Sequence, residues 1–162
     1  MRQTYHRRIE IKIRQATPAD TTIIADFNAR IASETERRKL DPARVNAGVA
    51  ALLCDAAKGV YFLAEVEGHI VGQLLITNEW SDWRNGNFWW IQSVYVEKEF
   101  RGQGIFRALF EHVQKLAKQR KDVCGLRLYM DSANATARKT YERLGMKRTD
   151  YEVFEMDFVL GH

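Results

Sequence analysis

Arg101, Gly102, Gln103 and Gly104 stand together where an apolar run, Phe88 to Val96, gives way to a helical pattern that begins at Ile105. Glycine lacks a Cβ, so its backbone can approach a ligand closely and turn its N–H groups one way. A helix that starts there adds the partial positive charge of its N-terminus. Together with the guanidinium of Arg101, the chemistry on offer is a cradle for a phosphate or a diphosphate. Two familiar cradles do not fit. The P-loop requires Lys-Ser/Thr after its last glycine, whereas Ile105 and Phe106 follow Gly104. The dinucleotide fingerprint requires a third glycine, and Arg107 occupies that position. An ordinary turn before a helix is the plain alternative.

Carboxylates that could take a proton lie nearby in sequence. Glu79 and Asp82, in NEWSDW, fall at the end of the preceding strand and could act as a base directly or through water; each could equally be a solvated surface group. Gln92, in IQSVYV, cannot be a base. The aromatic residues Trp80, Trp83, Phe88, Trp89 and Trp90 are unusually dense. Strand alternation sends half of such residues into a core. Trp80 and Trp83 read as loop residues that could enclose an ammonium, or form a hydrophobic lid or a dimer surface. Cys54 and Cys124 sit among apolar neighbours and read as buried free thiols of a reducing compartment. A Cys/His metal site lacks its ligand pairs, and no metal is expected.

These groups need a scaffold. The 162 residues suit one domain, expected over 1–162 with its core from about 11 to 158. Hydrophobic residues at 46% and charged residues at 28% exclude a disordered chain. The net charge of +4 suits an anionic small molecule; the basic residues are interspersed with acids, which argues against a nucleic-acid surface. The N-terminal stretch has no apolar signal segment, and no run approaches the ~18 apolar residues of a membrane span. A soluble cytoplasmic protein without a membrane or nucleic-acid partner is expected.

Ile9, Ile11 and Ile13 alternate with charged residues as in a half-buried strand. Thr17 as N-cap, Pro18 and Asp20 open a helix whose apolar face is Ile23, Ile24, Phe27 and Ile31. A second helix follows Asp41-Pro42, with Val45, Val49, Leu52 and Leu53 in register. Val60 to Val66 and His69 to Asn78 form a hairpin around Glu67-Gly68, and SDWRNGN reads as a loop. Phe88 to Val96 reads as a central strand buried on both sides. Ile105, Leu109, Val113 and Leu116 make one stripe of an amphipathic helix. VCGLRLYMD is a strand, a helix runs from N-cap Asn134 to Gly145, and YEVFEMDF closes as a strand. The order is β-α-α-β-β-β-α-β-α-β, an α/β fold with a mixed, largely antiparallel sheet flanked by helices.

Two segments resemble the Gcn5-related N-acetyltransferase (GNAT) family. Arg101, Gly102, Gln103, Gly104 and Ile105 match its [Arg/Gln]-x-x-Gly-x-[Gly/Ala] signature, with Phe106 where Gly or Ala is usual. Asn134, Ala137, Tyr141 and Gly145 match its Asn-x-x-Ala-x-x-x-Tyr-x-x-x-Gly helix, with Met146 for the usual Phe. The resemblance spans about Ile11 to Phe158 and implies the GNAT fold. It implies an acetyltransferase in which a neutral primary amine of a small molecule or peptide attacks the thioester of acetyl-CoA. The implied coenzyme contacts are Arg101, Gly102, Gln103, Gly104, Ile105, Phe106 and Asn134, with backbone N–H groups of Val94 and Val96 beside the acyl group. Tyr141 matches the general acid, though a packed helix tyrosine is the alternative; Asn134 can serve as an N-cap alone. Some relatives carry a catalytic Glu where Gln92 stands, so Glu79 or Asp82 is the candidate base. Members are often dimers, which admits a homodimer. A non-catalytic acyl-CoA-binding module of the same fold is the second reading.

Overall fold

The computed structural model describes residues 9–160, and the chain divides into two compact units, the first ending at Leu128 and the second beginning at Tyr129. The first unit holds the sheet. Its strands are β1 (Lys12–Gln15), β2 (Val60–Val66), β3 (His69–Ser81), β4 (Gly86–Val96) and β5 (Val123–Arg127). They lie in the order β1-β2-β3-β4-β5. The first four pair antiparallel, and β5 pairs parallel with β4. The parallel step needs a long crossover, supplied by α3 (Ile105–Gln119).

Side-chain alternation along β2 divides the core in two. Tyr61 and Leu63, with Leu75 of β3, pack against α1 (Thr21–Thr35) and α2 (Pro42–Leu53) through Ile24, Ala25 and Val49. Phe62 points the other way, its ring 5.1 Å from that of His112 on α3. The α3 stripe is buried at Ile105, Leu109, Phe110, Val113 and Ala117, and each full-sized apolar side chain contributes about 1.5–3 kcal/mol by leaving water. Gly72 lets α3 approach: a Cβ there would stand 3.0 Å from Ile105 Cγ2 and 3.0 Å from the Tyr95 carbonyl.

Helix starts follow the sequence closely. Asp41 caps α2 by accepting from the Ala43 amide at 3.2 Å. Thr17 and Pro18 begin a short 3-10 turn, Pro18–Asp20, before α1 starts at Thr21. The reason is Asp20, whose carboxylate accepts from the Thr17 amide at 2.8 Å and takes both arms of Arg14 at 2.8 Å.

Four expectations are corrected. Cys54 is exposed, because α2 stops at Leu53 and Cys54 caps its end; Cys124 is half-buried, and both are free. Trp80 is not a loop residue: β3 runs on to Ser81, and only residues 82–85 turn. Phe88, Trp89 and Trp90 are half-buried, so β4 is central in order without being covered fully on both faces. Residues 151–157 form no strand.

The second unit contains α4 (Ala135–Arg143). Alternation in YEVFEMDF would bury one face only against a hydrogen-bonded neighbour. Among the described residues this segment has none, and Val153 and Phe154, of opposite parity, are 68% and 91% exposed. Asp157 instead closes a turn by accepting from the amides of Val159 and Leu160 at 2.7 and 2.9 Å.

Candidate active site

The site in the first unit is built where β4 loses a neighbour. Pairing with β5 runs from Asn87 to Trp90, opposite Arg127, and ends there. Residues 91–96 continue as strand against β3. Within that stretch Gln73 faces Tyr95 and Leu75 faces Gln92, so Ser93 and Val94 together oppose Leu74. This is a β-bulge, and Ser93 carries its strain at φ 47°, a left-handed conformation uncommon for a non-glycine residue. Bulges re-aim the strand next to active sites.

After Val96 the chain makes a 3-10 turn, Lys98–Phe100, and passes through Gly102 at φ 75° and Gly104 at φ 88° into α3. Only glycine adopts this conformation without strain. The space around both is open, with nothing within 4 Å of where a Cβ would stand. Gly104 is the N-cap of α3 and offers no side chain to it, unlike Asp41 on α2 and Asn134 on α4. The first amides of a helix have no internal acceptor. Those of Ile105, Phe106 and Arg107 lie at the positive end of a 15-residue helix that no N-cap side chain covers. Gln103 steadies the loop by donating to the Glu99 carbonyl at 2.7 Å. Ile105 is buried and anchors the helix, whereas Phe106 is half-buried beside Phe110.

Arg101 is engaged. Its Nε donates to the Val96 carbonyl and its Nη2 to Glu34, both at 2.8 Å, and its guanidinium lies over the Tyr95 ring. The full charge expected at this position therefore braces the loop against α1 and is paired. Arg101 in turn holds the Glu34 carboxyl below the usual carboxylate range.

Glu79 lies on the α1–α2 face of β3 and accepts from Arg127 Nη1 at 2.7 Å and from the Trp90 indole N–H. Arg127 stacks on Phe88, 3.7 Å from the ring centroid. Gln92, on the same face, donates to Thr77 at 2.6 Å. Asp82 accepts from the Trp83 amide at 2.9 Å within the exposed turn. Trp80 and Trp83 are exposed, on strand and turn respectively.

In the second unit, Asn134 Oδ1 accepts from the Ala137 amide at 3.0 Å and so caps α4. Tyr141 is half-buried on that helix, and burial raises its phenol above the ordinary range.

Sequence reasoning missed Glu34, Arg127, and a buried polar group comprising Asn28, Tyr61 and Gln73. Gln73 inside VGQLLI and Ser93 inside FWWIQSVYV, each interrupting an apolar run, were the available signals. Among the described residues no helix is long and apolar enough to cross a membrane.

The sequence profile of the acetyltransferase (GNAT) family matches residues 25–146. A possible acetyltransferase from Clostridium difficile 630 shares 45% identity over 92% of this chain and 98% of its own, with a TM-score of 0.85. A ribosomal-protein-alanine N-acetyltransferase from Brucella melitensis biovar Abortus 2308 superposes with a TM-score of 0.74 at 22% identity, covering 92% of this chain and 99% of that one. A predicted acetyltransferase with acetyl-CoA from Clostridium acetobutylicum gives a TM-score of 0.74 at 19% identity, over 94% of this chain and 99% of that one. No curated protein matches the chain. The profile covers well over half of the residues and includes the parted strands and the glycine turn: the chain belongs to the acetyltransferase (GNAT) family and is an N-acetyltransferase.

Proposed function

We propose that the protein moves an acetyl group from acetyl-CoA directly to the primary amine of a small molecule or a peptide, working as one catalytic domain in a reducing cytoplasm. One observation carries this reading. Within a single unit, β4 parts from β5 after Trp90, bulges at Ser93 and runs through two left-handed glycines into an uncapped helix end. The backbone from Gly102 to Phe106 fits a diphosphate, since two left-handed glycines in open space lead into the N-terminus of α3, where no side chain caps the helix. The stretch 91–96, free of β5, fits an extended arm, with the amides of Val94 and Val96 as donors to the acyl oxygen.

Acetyl-CoA supplies the acyl thioester. The deprotonated amine nitrogen forms a bond to the acyl carbon as the carbon–sulfur bond breaks, and the departing thiolate must take a proton. Tyr141 is assigned that proton transfer: burial keeps its phenol protonated at neutral pH. Glu79 is assigned the amine's proton.

A second reading, a coenzyme-binding module without turnover, draws on two contacts. Gln92, which donates to Thr77, has no basic group, and Glu79 is paired with Arg127, so neither offers a free base. Release of free thiol from acetyl-CoA, measured against a panel of amines, polyamines, amino acids and peptides, separates the two. Amine-dependent release supports transfer. Saturable coenzyme binding without amine-dependent release supports the module, and hydrolysis alone counts for neither.

A further inference from the structure

Behind the β4 bulge lies a buried polar group that the catalytic reading does not use. Gln73 of β3 is fully buried on the α1–α2 face. Its Nε2 donates to Asn28 Oδ1 at 2.8 Å and to the Ser93 carbonyl at 3.0 Å. Asn28, on α1, donates in turn to the Tyr61 hydroxyl at 3.0 Å. Tyr61 is itself buried on β2, and burial raises the pKa of that hydroxyl. A chain of hydrogen bonds from β2 through α1 and β3 thus ends on the carbonyl of the left-handed residue of β4. Gln73 Oε1 has no partner among the described residues. A buried unsatisfied oxygen lowers stability, and a leucine of similar size would avoid it. The donor end of the carboxamide therefore matters more here than packing does.

We propose that Gln73 is a positioning residue for acetyl transfer. Oriented by Asn28, it fixes the Ser93 carbonyl, holds the left-handed bulge and so aims the Val94 amide at the thioester oxygen. This rests on the acetyl-CoA reading above. Strain held by surrounding structure is one way a site is preorganised. A donor that serves only the acyl oxygen discriminates acetyl-CoA from free CoA, whose thiol lacks that oxygen. The rest of the coenzyme is gripped elsewhere, at the α3 end.

The test uses the full chain with Gln73→Leu and, separately, Asn28→Ala, which frees the carboxamide without altering the strand. Thermal melts establish folding. Thiol release gives kcat and KM, and calorimetry gives the affinities for acetyl-CoA and CoA. The expected result is a kcat about ten-fold lower or more, CoA affinity within about three-fold of wild type, and an acetyl-CoA to CoA affinity ratio that falls toward one. A folded Gln73→Leu protein that keeps its kcat overturns the proposal. So does one that loses kcat and CoA affinity together, the mark of a merely structural residue. Should Gln73→Leu fail to fold, Asn28→Ala is judged by the same criteria. A wild-type chain that binds no coenzyme overturns the functional reading and this proposal with it; wild-type turnover matched by the variants overturns only the proposal.

Discussion

Arg101 Nη2 donates to Glu34 at 2.8 Å, so the last turn of α1 holds the loop that leads into α3. The same guanidinium closes on the Val96 carbonyl and caps the Tyr95 ring. An arginine placed to hold a loop contributes to binding through geometry. Removing its carboxylate partner should loosen the loop without unfolding the chain. Glu34→Gln is expected to raise the KM for acetyl-CoA by up to about five-fold, the equivalent of about 1 kcal/mol. The change in stability should be smaller, because the pair is solvent-exposed. Arg101→Ala, which also frees the Val96 carbonyl, should raise KM further. Steady-state kinetics beside a thermal melt check both. If Arg101→Ala leaves KM unchanged, the brace has no part in coenzyme binding.

Tyr141 should show its role in a pH profile. Its phenol is displaced upward by burial, so it stays protonated through neutral pH and loses its proton only as pH rises through that raised value. As general acid it would give kcat a basic limb above the ordinary tyrosine range. Tyr141→Phe is expected to lower kcat by roughly 10²-fold, abolish that limb and leave the CoA affinity alone. Unaltered turnover would remove Tyr141 from the mechanism.

Glu79 is open to a sharper question, because its contacts with Arg127 and Trp90 give it a structural role as well. Glu79→Gln should erase the acid limb of kcat/KM if the carboxylate takes the amine's proton. The Arg127 pair is partly exposed, so the loss of stability should stay below about 1 kcal/mol. A profile that keeps both limbs excludes Glu79 and turns attention to water held elsewhere.

Asp20 offers a stability test far from the chemistry. Hydrogen bonds from Arg14 first, then from the Thr17 amide, lower its carboxyl from 3.8 to about 2 against the opposing effect of burial. A depressed folded-state pKa contributes stability that is complete above the unfolded value and is lost as pH falls through the folded one. The contribution at neutral pH is about 2 kcal/mol. Denaturant melts should find Asp20→Asn less stable by about that amount at pH 7, with the gap closing between pH 4 and pH 1. A gap independent of pH means that the charge of Asp20 is not the source.

The elements most legible in the sequence were those fixed by local chemistry. Pro42 after Asp41, Glu67-Gly68 between two apolar runs, and the Ile105–Leu109–Val113 stripe each specify an element through capping, turn geometry or periodicity, and each stands as read. The glycine turn was equally legible, because positive φ at Gly102 and Gly104 is a backbone requirement that only glycine meets without strain. What depended on distant partners was not. Arg101 read as a free charge, since nothing near it in sequence announces Glu34, 67 residues away. Cys54 read as buried from its apolar neighbours, although the helix ends beside it. YEVFEMDF has the period of a strand, but period specifies a face and not a hydrogen-bonding neighbour. Gln73 and Asn28 are 45 residues apart, and their contact exists only in the folded sheet.

The central claim is that the amides from Gly102 to Phe106 hold the diphosphate of the coenzyme. Titration calorimetry of CoA into wild type and Gly104→Val tests it most directly, with thermal melts to establish that both are folded. Saturable binding by wild type is expected, weakened roughly ten-fold or more by Gly104→Val, a loss of at least about 1.4 kcal/mol. No binding by wild type, or equal binding by a folded Gly104→Val protein, would contradict the account.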